Sequence, residues 1–144
     1  MAEGLALIVV GLDGSDTARA AAETAARLAR AAGARLHLVT AVASISFEVL
    51  SGPGGDEFLV DDAERSRTFL AGVASGWPDL EVTVSVRQGK PGPVLVEEAD
   101  RLGADLIVVG NRRVQGASRV LGSVASDVTR HARCDVYVAH TTGA

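Results

Sequence analysis

A doubly wound α/β fold, an open parallel five-stranded sheet with helices on both faces, is what three features of this chain predict. Short apolar runs alternate with helical stretches along the whole length, in the order β-α-β-α-β-α-β-α-β. The connections between successive strands are long enough for the crossovers that parallel neighbours require. Apolar residues make up 47% of the chain and aromatics only 3%. The core is therefore built of small aliphatic side chains, which suit strands packed under helices.

Leu5 to Leu12, L-A-L-I-V-V-G-L, is a continuous apolar run, as expected for a parallel strand covered on both faces. Asp13-Gly14-Ser15 breaks it, and Ser15 or Asp16 can accept from the first free N–H groups of a helix that runs to about Ala32. Ala18, Ala22, Ala25, Ala26 and Leu28 form its apolar face, and Gly33 ends it by tolerating a left-handed conformation. Arg35 to Val42 is the second strand.

Between Ala43 and Asp56 three glycines and a proline argue against a packed element, so a mobile excursion is expected there. A helix from about Glu57 to Gly76 then turns Phe58, Ala63, Phe69, Leu70 and Val73 toward the sheet. Leu80 to Val86 alternates strictly, which predicts a third strand with one less buried face, at a sheet edge. A helix from about Pro93 to Leu102 follows, closed by Gly103, then a fourth strand at Asp105 to Val109. The Gly110 to Leu121 loop leads into a helix over Ser123 to His131 and a fifth strand over Cys134 to His140.

At 144 residues the chain is the size of one domain, spanning 1–144. The balance of 14 basic against 18 acidic residues, a formal charge of -4, argues against a general nucleic-acid footprint. Without a signal-peptide pattern or an apolar run of about 20 residues, the expectation is a cytoplasmic protein with no membrane partner. A single cysteine, Cys134, excludes an internal disulfide and reads as a small buried hydrophobe rather than a redox thiol.

Ligands of doubly wound sheets sit beyond the carboxyl ends of the strands, where the strand order reverses. The stretch with the most chemistry at such a place is Asp105 to Val128. There Gly110 ends an apolar run, Arg112, Arg113 and Arg119 follow, and Gly122-Ser123 opens a helix whose unpaired N–H groups favour anions. Glycines at strand and helix ends also occur simply because turns need them, and loop arginines are commonly just solvated. The loop is neither G-x-x-x-x-G-K-[ST] nor G-x-G-x-x-G. Asp13, past the first strand, reads equally as a helix cap or as an acceptor for a ribose hydroxyl or an adenine amino group. His37, His131 and His140 share no metal-ligand spacing, and neither a G-x-S-x-G elbow nor a Ser/His/Asp set supports nucleophilic catalysis.

With G-L-D-G-S-D after the first strand, A-D-L-I-V-V-G-N, L-G-S-V-A-S-D-V and C-D-V-Y-V-A-H, nearly the whole chain resembles the universal stress protein family. The resemblance implies a sheet of order 3-2-1-4-5 and a homodimer through the last strand, Asp135 to His140. It also implies an adenine nucleotide, ATP or cyclic AMP, with Mg2+ accompanying ATP, in a loop of pattern G-x2-G-x9-G-[S/T]. Gly110 matches the first glycine, Arg113 the second and Gly122-Ser123 the last pair. Gly11, Leu12 and Asp13 would surround base and ribose, Ala41 would face the base, and Val124 would lie beside the phosphates, while Arg112, Arg113 and Arg119 could, by charge and shape alone, pair with phosphates bidentately. Two departures stand out: Arg113 replaces the middle glycine, and eight residues instead of nine separate it from Gly122. They motivate a second reading, a nucleotide-independent interaction protein of the same fold. Some family members hydrolyse ATP slowly, which leaves enzymatic activity open here, with no general base apparent in the sequence.

Overall fold

The computed structural model describes residues 4–43, 47–51, 57–111 and 121–141. Its elements run β1 (Leu7–Gly11), α1 (Asp16–Ala32), β2 (Arg35–Val42), β3 (Phe47–Ser51), β4 (Glu57–Asp61), α2 (Asp62–Ala74), β5 (Val82–Gln88), α3 (Pro91–Leu102), β6 (Leu106–Asn111), α4 (Ser123–His131) and β7 (Asp135–His140). Among the described residues β5-β2-β1-β6-β7 form one parallel sheet. Counted along that sheet alone the order is 3-2-1-4-5, as the family resemblance implies. The alternating segment lies at its edge, as the pattern predicts.

Side-chain alternation divides the core in two. Ile8, Val10, Leu36, Leu38 and Val108 pack with α1 and α2, whereas Val9, Val39, Ile107 and Val109 pack with α3 and α4. Successive residues of β1 thus feed opposite layers, which is why the strand reads as an unbroken apolar run. Five alanines of α1, Ala21, Ala22, Ala25, Ala26 and Ala29, are buried, so the helix backbone lies close on β1 and β6. Ser15 caps α1 by accepting from the Ala18 N–H at 3.1 Å. Gly33 closes it at φ 69, a conformation that strains residues with a Cβ.

The middle of the chain departs from expectation. Phe47–Ser51 and Glu57–Asp61 pair as an antiparallel hairpin, so the expected excursion contains a strand and the helix begins at Asp62 rather than Glu57. Two runs rich in Phe, Val and Leu flanking a Gly-Pro segment favour strand pairing over helix, and the glycine count masks that signal. Within α2, Ala63, Leu70 and Val73 are buried as expected, but Phe69 is 40% exposed. Phe58 lies on β4 instead of the helix.

Candidate functional site

At the carboxyl ends of β1 and β6, where the strand order reverses, the chain forms a largely apolar cavity of about 130 Å³. Gly11, Leu12 and Asp13 line it from the end of β1, Ala41 from β2, Gly110 from β6 and Val124 from α4. Six of the ten residues singled out in the sequence therefore surround one space. Gly122 and Ser123 stand beside it at the start of α4. Arg112 and Arg113, with Arg119, lie outside the described residues.

The turn after β1 is stitched to β2. The Leu12 N–H donates to the Val39 carbonyl at 2.9 Å, and the buried Thr40 hydroxyl donates to the Leu12 carbonyl. Asp13 makes the next link by accepting from the Ser15 N–H at 2.9 Å through Oδ1. Ser15, not Asp13, is therefore the helix cap. The Asp13 Oδ2 oxygen makes no hydrogen bond among the described residues, and Asp13 is one of the residues that line the cavity. Thr40→Val keeps the shape but strands a buried carbonyl. It is expected to cost about 1–3 kcal/mol, readable as a lower denaturation midpoint in urea with an unchanged slope.

The two glycine ends of the long loop differ physically. A Cβ on Gly110 would lie 2.9 Å from both the Thr17 carbonyl oxygen and Thr17 Cγ2, and 3.0 Å from Thr141 Cγ2. Glycine at 110 is thus a packing requirement between β6 and α1. Gly122, by contrast, has an ordinary extended backbone, φ -63 and ψ 166, and a Cβ there would meet nothing within 4 Å among the described residues. Among the described residues nothing demands glycine at 122. Its N–H donates to Asn111 Oδ1 at 3.3 Å, which draws the two ends of the loop together. The Ser123, Val124 and Ala125 N–H groups are without partners among the described residues, the open start of a helix dipole.

Sequence reasoning missed one wall. Pro91, Val94 and Leu95 of α3 close the cavity, and Leu95 reaches within 3.2 Å of where a Gly11 Cβ would be. Its signal was the G-K-P-G-P start of α3 after β5, which reads as a plain turn. Sequence reasoning also missed Asn111 and Thr40, whose partners are 11 and 28 residues away.

Beneath this wall lies a buried polar cluster. Glu98 of α3 is 2% exposed. Its carboxylate accepts from Arg101 Nε at 2.6 Å, from Arg87 Nη2 at 3.2 Å and from the Ser85 hydroxyl, and lies 3.3 Å from His37 Nε2. His37 Nδ1 is 2.6 Å from the Thr83 hydroxyl. Burial alone would push the Glu98 carboxyl up, but the hydrogen bonds from Arg101, Ser85, Arg87 and His37 outweigh it and hold the group down, from 4.5 to about 2. Burial lowers the His37 imidazole below its ordinary 6.5, against the opposing pull of Glu98. Both groups are depressed in the folded chain, so the unfolded chain takes up protons first as pH falls. Stability is expected to decline below 6.5 and again from 4.5 toward 2. Melting curves from neutral to acid pH check this, and Glu98→Gln is expected to flatten the lower part of the profile.

Elsewhere, Cys134 is half-buried against the second core cluster and burial pushes its thiol up, consistent with a packing role. Among the described residues no helix is long and apolar enough to cross a membrane.

Comparison with known proteins places these features. A profile of the universal stress protein family matches residues 7–140. The chain is 36% identical to universal stress protein Rv1636 of Mycobacterium tuberculosis over 151 aligned positions, covering 94% of this chain and 96% of that protein. It superposes with TM-score 0.72 and 30% identity on a universal stress protein crystallised in complex with cAMP, covering 96% of this chain and 99% of the other. A family protein from Burkholderia pseudomallei gives TM-score 0.67 at 28% identity, with 96% and 98% covered. Matched over nearly its whole length in sequence and in fold, the chain belongs to the universal stress protein family.

Proposed function

We propose that the cavity between β1 and β6 seats the base of an adenine nucleotide, and that the chain works as a nucleotide-responsive dimer in stress response or signalling. The observation that carries this reading is the convergence of Gly11, Leu12, Asp13, Ala41, Gly110 and Val124 on one space at the strand-order switch point. At about 130 Å³ the cavity is smaller than the roughly 300 Å³ or more typical of a whole ligand pocket. It suits a single flat base, with sugar and phosphates outside it toward the start of α4. The free Asp13 oxygen suits a ribose hydroxyl, and the open N–H groups of Ser123 and Val124 suit a phosphate. The relative at 30% identity was crystallised with cAMP. Arg112 and Arg113 carry charge complementary to phosphate, and Mg2+ would accompany ATP.

Asp13 is the only titratable side chain among the described residues that line the cavity, so the lining supports binding more than turnover. Purified protein is expected to melt at a higher temperature with millimolar ATP, AMP or cAMP, and Asp13→Ala is expected to lose that shift. An unshifted melt with all three would favour the nucleotide-independent reading. The dimer is proposed from β7, which ends the sheet and leaves Tyr137 44% and Val138 37% exposed beside an open strand edge. Sedimentation as a monomer at micromolar concentration would contradict it.

A further inference from the structure

We infer that Glu98 is a positioning residue for the cavity: it clamps α3 against β2 and β5, and so sets the separation of the two walls between which a ligand sits. The inference rests on the nucleotide reading for its ligand, but its geometry stands independently of it.

The clamp and the cavity share the same two elements. His37, Val39 and Ala41 alternate onto one face of β2, and the last two line the cavity. Glu98 follows Val94 and Leu95 by about one helical turn, roughly 5 Å, and those two side chains form the opposite wall. Among the described residues of α3, Glu98 is the one buried charge. Its carboxylate takes donors from three elements at once: His37 on β2, Ser85 and Arg87 on β5, and Arg101 on α3 itself.

A buried carboxylate with four donors is geometrically exacting, because an apolar contact slides where a hydrogen-bonded charge does not. Leu95, one turn above, extends this fixed register to Gly11 at the cavity floor. Simple anchoring of an edge strand is the competing role. It accounts for Ser85 and Arg87 but not for the link to β2, whose next residues on the same face line the cavity.

The test separates the two roles. Glu98→Gln removes the charge at constant size, Glu98→Asp keeps it, and Leu70→Ala destabilises the opposite core layer at a side chain that does not line the cavity. All are titrated, at a temperature where each is folded, with whichever of cAMP, AMP or ATP the unaltered chain binds tightest. Glu98→Gln is expected to weaken binding about tenfold, Glu98→Asp to recover part of that loss, and Leu70→Ala to stay within about twofold despite a lower melting temperature. Equal weakening in Glu98→Gln and Leu70→Ala would overturn the inference.

Amide exchange without nucleotide gives a second readout. Protection is expected to fall at Val39, Ala41, Val94 and Leu95 in Glu98→Gln more than in Leu70→Ala. Loss confined to β5 would overturn the clamp, leaving an edge-strand anchor. If the unaltered chain binds none of the three nucleotides, the nucleotide reading fails and the exchange pattern alone decides the clamp. Should Glu98→Gln not fold, Ser85→Ala removes one donor and carries the same comparison, with a smaller expected loss.

Discussion

Gly110→Ala is expected to destabilise the chain by about 2–3 kcal/mol, a loss of roughly 10 °C in melting temperature. The new methyl carbon would sit 2.9 Å from the Thr17 carbonyl oxygen, a backbone atom that cannot rotate away, and as close to Thr17 Cγ2. Relief requires α1 to move off β6. That movement would disturb the packing of the buried alanines Ala21, Ala22, Ala25, Ala26 and Ala29. Calorimetric melting of the two chains without nucleotide checks the value, and a shift under about 2 °C would mean that α1 and β6 are less closely packed than described.

Gly122→Val is expected to behave in the opposite way. The backbone at 122 is extended, a conformation open to valine, and the space beside it is open among the described residues. Stability should therefore fall by no more than about 1 kcal/mol, the usual cost of an apolar residue at a helix N-cap. Nucleotide affinity should not be spared, because the branched side chain would crowd the N–H groups that open α4. Losing one hydrogen bond to a charged phosphate, worth about 1.5–3 kcal/mol, weakens binding roughly ten- to a hundredfold. Titration of the variant beside its melting curve separates the two effects. An unchanged affinity would remove the start of α4 from the site.

The contrast between these glycines shows where sequence reasoning stopped. Both look alike in the chain, one closing a strand and one opening a helix, and both match the glycine ends of the family loop. Their different reasons emerge only from what surrounds them: Thr17, 93 positions before Gly110, and, among the described residues, open space at Gly122.

The main sheet was legible because buried parallel strands leave unbroken apolar runs and because Gly33 and Gly103 mark helix ends with φ values of 69 and 66. The hairpin was not, since its Phe- and Leu-containing strands flank a Gly-Pro segment that reads as irregular. The cavity was legible where it is made of turns after strands, at Gly11 to Asp13 and at Gly110. Its α3 wall was not, because Pro91, Val94 and Leu95 face the cavity only through tertiary packing. The same holds for Glu98. An acidic residue within a helix reads as solvated, and its partners come from positions 11 to 61 residues away as well as from Arg101 three residues on.

Isothermal titration of the unaltered, folded chain with AMP, ATP and cAMP up to millimolar concentration tests the central claim most directly. One saturable site per chain for at least one of the three, lost in Asp13→Ala and weakened in Gly122→Val, is the expected result. No saturable heat for any of them, from protein whose melting curve shows it folded, would contradict adenine-nucleotide binding.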